Sequence, residues 1–110
     1  MIRTMDDTPS ALDIAAMRAA AETTTASLRA LANTDRLLLL CQLAHGEKSV
    51  GELEALLDIR QPTLSQQLGV LRTEGLVATR REGKRIFYVV ADPKILSLLN
   101  TLYALYCPKD

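Results

Sequence analysis

Apolar residues recur at spacings of three and four along most of this chain. They give way to short β-branched and aromatic runs between residues 76 and 90, then return at helical spacing from residue 93. A period near 3.6 marks helix, and runs of Val, Ile, Tyr and Phe flanking a glycine mark a hairpin. Ser10 stands where it can cap a first helix running to about Ala32, with Leu12, Ala15, Ala16, Ala19, Ala20, Leu28 and Leu31 as its apolar stripe. Its small residues permit close packing, as at a subunit interface. The Thr23–Thr25 run weakens its middle through lost rotamer freedom. Asn33 or Thr34 caps a second helix from Asp35 to about His45, stopped by Gly46. Its Leu37–Leu40 run is apolar most of the way round and places it at the centre of the core.

Ser49 and Glu52 have the spacing of a capping box, so a short third helix should reach Leu57. Asp58-Ile59-Arg60 is the turn. Pro62 pre-sets the first turn of a fourth helix running to about Glu74, and Gly75 ends it. Leu64, Leu68 and Leu71 share one face, leaving Thr63, Ser65, Gln66, Gln67, Val70 and Arg72 largely outside it. Leu76–Arg81 and Arg85–Val90 are the strands, with Gly83 supplying the positive φ of the turn. Asp92 caps and Pro93 opens a last helix, whose Leu and Tyr content is too apolar for a solitary surface helix. A short helix, a tight turn and a polar-faced helix make a helix-turn-helix, and the hairpin behind it is a wing. The expected fold is mainly α with a small β-hairpin: a winged helix-turn-helix of helices 1–4, β-wing and C-terminal helix. The expected organisation is a flexible N-terminal tail over 1–9 and one DNA-binding and dimerisation domain over 10–110.

The formal net charge is zero over 110 residues, which taken whole argues against a nucleic-acid partner. Its distribution reverses that. Residues 1–59 carry five basic and nine acidic side chains, whereas residues 60–85 carry six basic and two acidic. A basic stretch inside a neutral protein is the electrostatic footprint of DNA binding. Gln61, Thr63, Ser65, Gln66 and Gln67 are the candidates for base edges in the major groove, where glutamine pairs with adenine. Arg80, Arg81, Lys84 and Arg85 at the wing tip are the candidates for phosphates or, for an arginine, the minor groove, and Arg72 joins the DNA-binding set. The competing account of the wing charges is protection of an edge strand.

A single histidine and no glycine-rich phosphate loop exclude the familiar catalytic sets, so no enzyme and no cofactor is expected. The absence of long apolar runs and of a secretory signal predicts no membrane association and a cytoplasmic setting. Cys41 and Cys107 are either packed thiols or a reactive pair.

Leu-Ala-Asn-Thr-Asp-Arg-Leu at 31–37, Gln-Pro-Thr-Leu-Ser-Gln-Gln-Leu at 61–68 and Glu-Gly-Leu-Val-Ala-Thr-Arg-Arg-Glu-Gly-Lys at 74–84 resemble the ArsR family of winged-helix repressors. The resemblance implies a homodimer through the first and last helices. It also implies binding to an imperfectly palindromic double-stranded operator, relieved by an inducer. Metal-sensing members carry a cysteine pair at the third helix, or His and carboxylate ligands along the last. Residues 49–57 hold no Cys or His and residues 93–106 no His, Asp or Glu, so no metal site is expected. One cysteine in the second helix and one at the end of the last resemble instead the BigR- and SqrR-like branch, which responds to sulfide and persulfide. The segments 46–54 and 98–107 add to that likeness. It implies that Cys41 and Cys107 are inducer-sensing thiols which join through reactive sulfur, and that the target genes detoxify sulfide. Three alternatives stay open: a response to general oxidation, a metal response using Cys41, Cys107 and His45, and a protein-interaction module without a ligand site.

Overall fold

The computed structural model describes residues 11–107, so the expected tail, the Ser10 cap and Pro108 lie outside the described residues. The elements in chain order are α1 (Ala11–Leu31), α2 (Thr34–Leu43), β1 (Lys48–Ser49), α3 (Val50–Leu57), α4 (Thr63–Thr73), β2 (Val77–Glu82), β3 (Arg85–Val90) and α5 (Pro93–Tyr106). Local chemistry explains most boundaries. The Asn33 side chain accepts from the Arg36 N–H and starts α2. Both bonds of the Ser49–Glu52 capping box are present at the start of α3. Asp92 accepts from the Lys94 N–H and Pro93 opens α5. The threonine run in α1 does not interrupt it, because Thr24 and Thr25 return their hydroxyl bonds to the carbonyls of Ala20 and Ala21.

Three expectations are corrected. α2 stops at Leu43, because the chain tightens there: the His45 and Gly46 N–H groups turn back to Gln42 and Leu43, and Gly46 takes a φ of 138°. Pro62 stands at the N-cap rather than inside the first turn of α4, which begins at Thr63. The hairpin is part of a three-stranded antiparallel sheet of order β1-β3-β2, with Lys48 opposite Tyr88 and Ser49 opposite Phe87. A two-residue strand has no period to betray it in a sequence.

The core lies where α2, α3 and α4 meet. Leu39, Leu40, Leu43, Leu53, Leu64, Leu68 and Leu71 are buried there, capped by Leu76 and Val77 of the wing's root and by Ile95 and Leu99 of α5. Truncating one such leucine to Ala costs about 2–5 kcal/mol. Leu38 departs from the expected all-round burial of α2 and is exposed. Among the described side chains of α1, only Ala30 and Leu31, at its C-terminal end, enter the core. No helix among the described residues is long and apolar enough to cross a membrane.

Candidate nucleic-acid interface

Burying Leu64, Leu68 and Leu71 fixes the rotation of α4 and therefore which polar residues face outward. Ser65, Gln66 and Arg72 are exposed, while Thr63 and Gln67 are half-buried on the flank. The three glutamines read as equals in the sequence are not equal in the fold. The Gln61 carbonyl accepts from both the N–H and the hydroxyl of Ser65, at 3.2 and 2.5 Å, and so does the capping that Pro62 cannot. The Gln67 carbonyl accepts from Arg36 at 2.9 Å. Gln66 alone of the three has no such intramolecular bond among the described residues, leaving both its donor and its acceptor for a base edge.

The wing divides its cations. Paired residues of an antiparallel ladder share a face, so the pairs Arg80–Phe87 and Glu82–Arg85 put these four side chains on one side and Arg81 with Ile86 on the other. Two residues, Gly83 and Lys84, make the turn, with positive φ only at Gly83, as a type II′ turn asks. Arg80 is spent internally. It forks onto both Glu47 carboxylate oxygens at 2.7 Å, donates to Glu82 at 2.9 Å and lies 4.5 Å from the Phe87 ring centroid. The fork holds the Glu47 carboxyl below the usual carboxylate range and raises the guanidinium further. Arg85 lies 4.8 Å from the same ring and donates to Ser49 Oγ at 3.3 Å. Arg72, Arg81 and Lys84 make no ion pair among the described residues. Between the wing and α3–α4 lies a cleft of about 780 Å³, into which Arg72, Lys84 and Arg85 converge beside Ser49 and Ser65. Glu52 lines it too, beside the apolar Val50, Leu68 and Ile86, and the Ser49 and Ser65 hydroxyls already bond to Glu52, Arg85 and Gln61. Glu47, Phe87 and Arg36 went unnoticed in the sequence: Glu47 and Arg36 act on residues thirty-three and thirty-one positions away, and Phe87 meets Arg80 across the hairpin.

Cys41, on α2, is half-buried and lines a cavity of about 40 Å³ with Ala44 and His45 of its own turn and Leu99, Asn100 and Tyr103 of α5. His45 meets Tyr103 edge to face, their centroids 6.1 Å apart. Cys107 caps α5, its N–H donating to the Tyr103 carbonyl at 3.0 Å. Burial pushes the Cys41 thiol up, and the charge of Cys107 pushes it further. Among the described residues no group of three His, Cys, Asp or Glu side chains is placed to hold a metal ion.

Comparison with known proteins agrees with this geometry. The profile of bacterial regulatory proteins of the arsR family matches residues 33–79. A biofilm growth-associated repressor of Agrobacterium fabrum is 61% identical over 83 residues, which are 76% of this chain and 71% of the relative. The crystal structure of the transcriptional repressor BigR from Xylella fastidiosa superposes with a TM-score of 0.80 at 48% identity, over 84% of this chain and 95% of that one. A homodimeric winged helix-turn-helix DNA-binding domain from Mycobacterium bovis matches with a TM-score of 0.71 at 27% identity, over 93% of this chain and 89% of that one.

Proposed function

This chain belongs to the ArsR family of bacterial regulatory proteins, and from that premise we propose that it is a homodimeric transcriptional repressor that leaves its operator when reactive sulfur links Cys41 to Cys107. Residues 10–110 act as one unit. Each subunit sets Gln66 and Ser65 against base edges in the major groove, with Thr63 on the flank of the same helix. Arg72, Arg81, Lys84 and Arg85 neutralise phosphates, while Gln61, Gln67 and Arg80 keep the reading helix and the wing in shape. Two α4 helices related by a twofold axis read an imperfect palindrome. α1 and α5 supply the dimer contact. The genes controlled are those that dispose of sulfide.

What supports the switch is the placement of Cys41 on the face of α2 packed against α5 and of Cys107 at the end of α5, each half-buried. A low-molecular-weight persulfide delivers its sulfane sulfur to a thiolate and leaves as a thiol, converting the cysteine to Cys–S–SH. With both cysteines so converted, attack of one persulfide on the other expels hydrogen sulfide and leaves a trisulfide bridge. The two electrons lost by the thiols are taken up by the sulfane sulfur. A bridge favours release only because it fits one arrangement of α2 and α5 better than the other. α2 also holds α4 through Arg36, which gives the bridge a path to the reading helix.

The test is binding to the DNA upstream of the protein's own gene, before and after treatment with glutathione persulfide. The reduced protein should bind and the treated one release, with the bridge visible by intact mass. Cys41→Ser and Cys107→Ser should each bind and fail to release. Release by either serine variant at the parental rate would refute the two-cysteine switch. Release by peroxide alone would move the inducer to general oxidation.

A further inference from the structure

α1 joins the rest of the molecule at one end. Residues 13–29 are exposed or half-buried, and only Ala30 and Leu31 enter the core. At that end sits Arg36, half-buried in the first turn of α2. Its Nε donates to the Ala30 carbonyl at 2.6 Å and one terminal nitrogen to the Arg29 carbonyl at 3.2 Å. Both carbonyls belong to the last turn of α1, where a helix leaves its acceptors without intrahelical partners and its dipole favours a cation. The other terminal nitrogen reaches across to the Gln67 carbonyl on α4 at 2.9 Å. Among the described residues Arg36 makes no ion pair. Neutral acceptors on two different helices therefore share one rigid planar fork, and their positions are tied to one another.

Gln66 and Gln67 project about 100° apart around α4. The buried leucine stripe sets which side of α4 turns inward, and Arg36 acts within that limit. We propose that Arg36 is a positioning residue for sequence reading: it anchors α4 to the end of α1, takes the Gln67 side-chain Oε1 inward and leaves Gln66 to the base edge. The inference rests on the reading of α4 as the recognition helix. It adds that the selectivity of that helix is set by a residue that touches no DNA. It also makes α1, a helix of the proposed dimer contact, a reference for the angle at which α4 enters the groove.

The experiment titrates the full chain against its own upstream DNA and a scrambled duplex of equal length by fluorescence anisotropy, with thermal unfolding and sedimentation in parallel. Arg36→Lys keeps the charge and loses the fork. Gln67→Leu keeps the bulk and loses the acceptor. Each should lower affinity for the upstream DNA about tenfold while leaving the scrambled duplex unchanged, the scale of one missing bond to a charged group. The double variant should be no worse than the weaker single one, because both remove the same bond. Gln67→Glu, which keeps an oxygen for Arg36, should retain the preference between duplexes. Additive losses would mean that Gln67 reads a base itself and would overturn the inference. So would an unchanged preference in Arg36→Lys accompanied only by a lower Tm. If Arg36→Lys does not fold, Gln67→Leu and Gln67→Glu decide: equal loss in both overturns the strut, and loss in the first alone supports it. A parent protein that does not distinguish the two duplexes overturns the repressor reading itself, a result separate from any variant.

Discussion

α4 and α5 are helices of eleven and fourteen residues pinned by aliphatic side chains to the same core, yet their free sides are opposites. The free side of α4 offers Ser65, Gln66 and Arg72 to solvent. The free side of α5 offers Leu96, Tyr103, Leu105 and Tyr106, the last two 70% and 80% exposed. α1 repeats the pattern of α5 with Ile14, Met17 and Leu28. A polar face is stable in water and can exchange its waters for base edges at little cost. A contiguous apolar face is not, and on a small protein it marks a protein contact. The wing adds a third kind of free surface, cationic and suited to phosphate. On the proposed function, these three surfaces would meet three partners: bases at α4, phosphates at the wing, a second subunit at α1 and α5.

The largest test of that sorting is to give α5 the character of α4. Leu105→Glu with Tyr106→Glu should leave the fold intact, since both side chains already face solvent in the single chain. It should yield a monomer by sedimentation and weaken operator binding by about a hundredfold or more, because one half-site no longer helps the other. A dimer of parental affinity would break the contrast between the two helices. Next comes the reading face. Gln66→Ala should cost about 1–3 kcal/mol and relax preference at one base pair of each half-site, whereas loss at every sequence alike would take Gln66 off the base edge.

A smaller effect belongs to the wing. Arg81→Ala should weaken binding to all sequences by about threefold to tenfold and reduce the salt slope by about one, as expected when one phosphate is no longer neutralised. A titration from about 50 to about 200 mM salt measures that slope. Arg80→Ala should flatten the slope less, because its charge is already matched by Glu47 and Glu82. The smallest effect is on acidification. The Glu47 carboxyl is held low in the folded state by Arg80, so its contribution is present above the ordinary carboxylate range and is lost as pH falls through the lowered folded value. Thermal unfolding of the parent should lose stability there relative to Glu47→Gln, and parallel pH curves would show that the fork does not bias folding.

Much of this was legible because it is written within a few residues. The Ser49–Glu52 capping box, the Asp92–Pro93 start of α5, the Leu64, Leu68 and Leu71 stripe and the glycine turn of the wing each depend on a local spacing that the backbone converts directly into geometry. The basic cluster at 60–85 and the excess apolar content of the last helix were likewise countable. Packing decided the rest. Gln61, Gln66 and Gln67 differ in surroundings because helix rotation turns Gln66 outward, and two other partners claim the side-chain oxygens of Gln61 and Gln67. Arg80 is quenched by Glu47, thirty-three residues away in sequence. Arg36 meets Gln67 across thirty-one. The pairing of the wing's charges, the side-chain bonds of Gln61 and Gln67 and the packing of Cys41 against α5 all depend on which elements lie side by side. A period or a cap fixes the conformation of its own segment, but a hydrogen bond between segments exists only after the leucine core has set their distance and rotation.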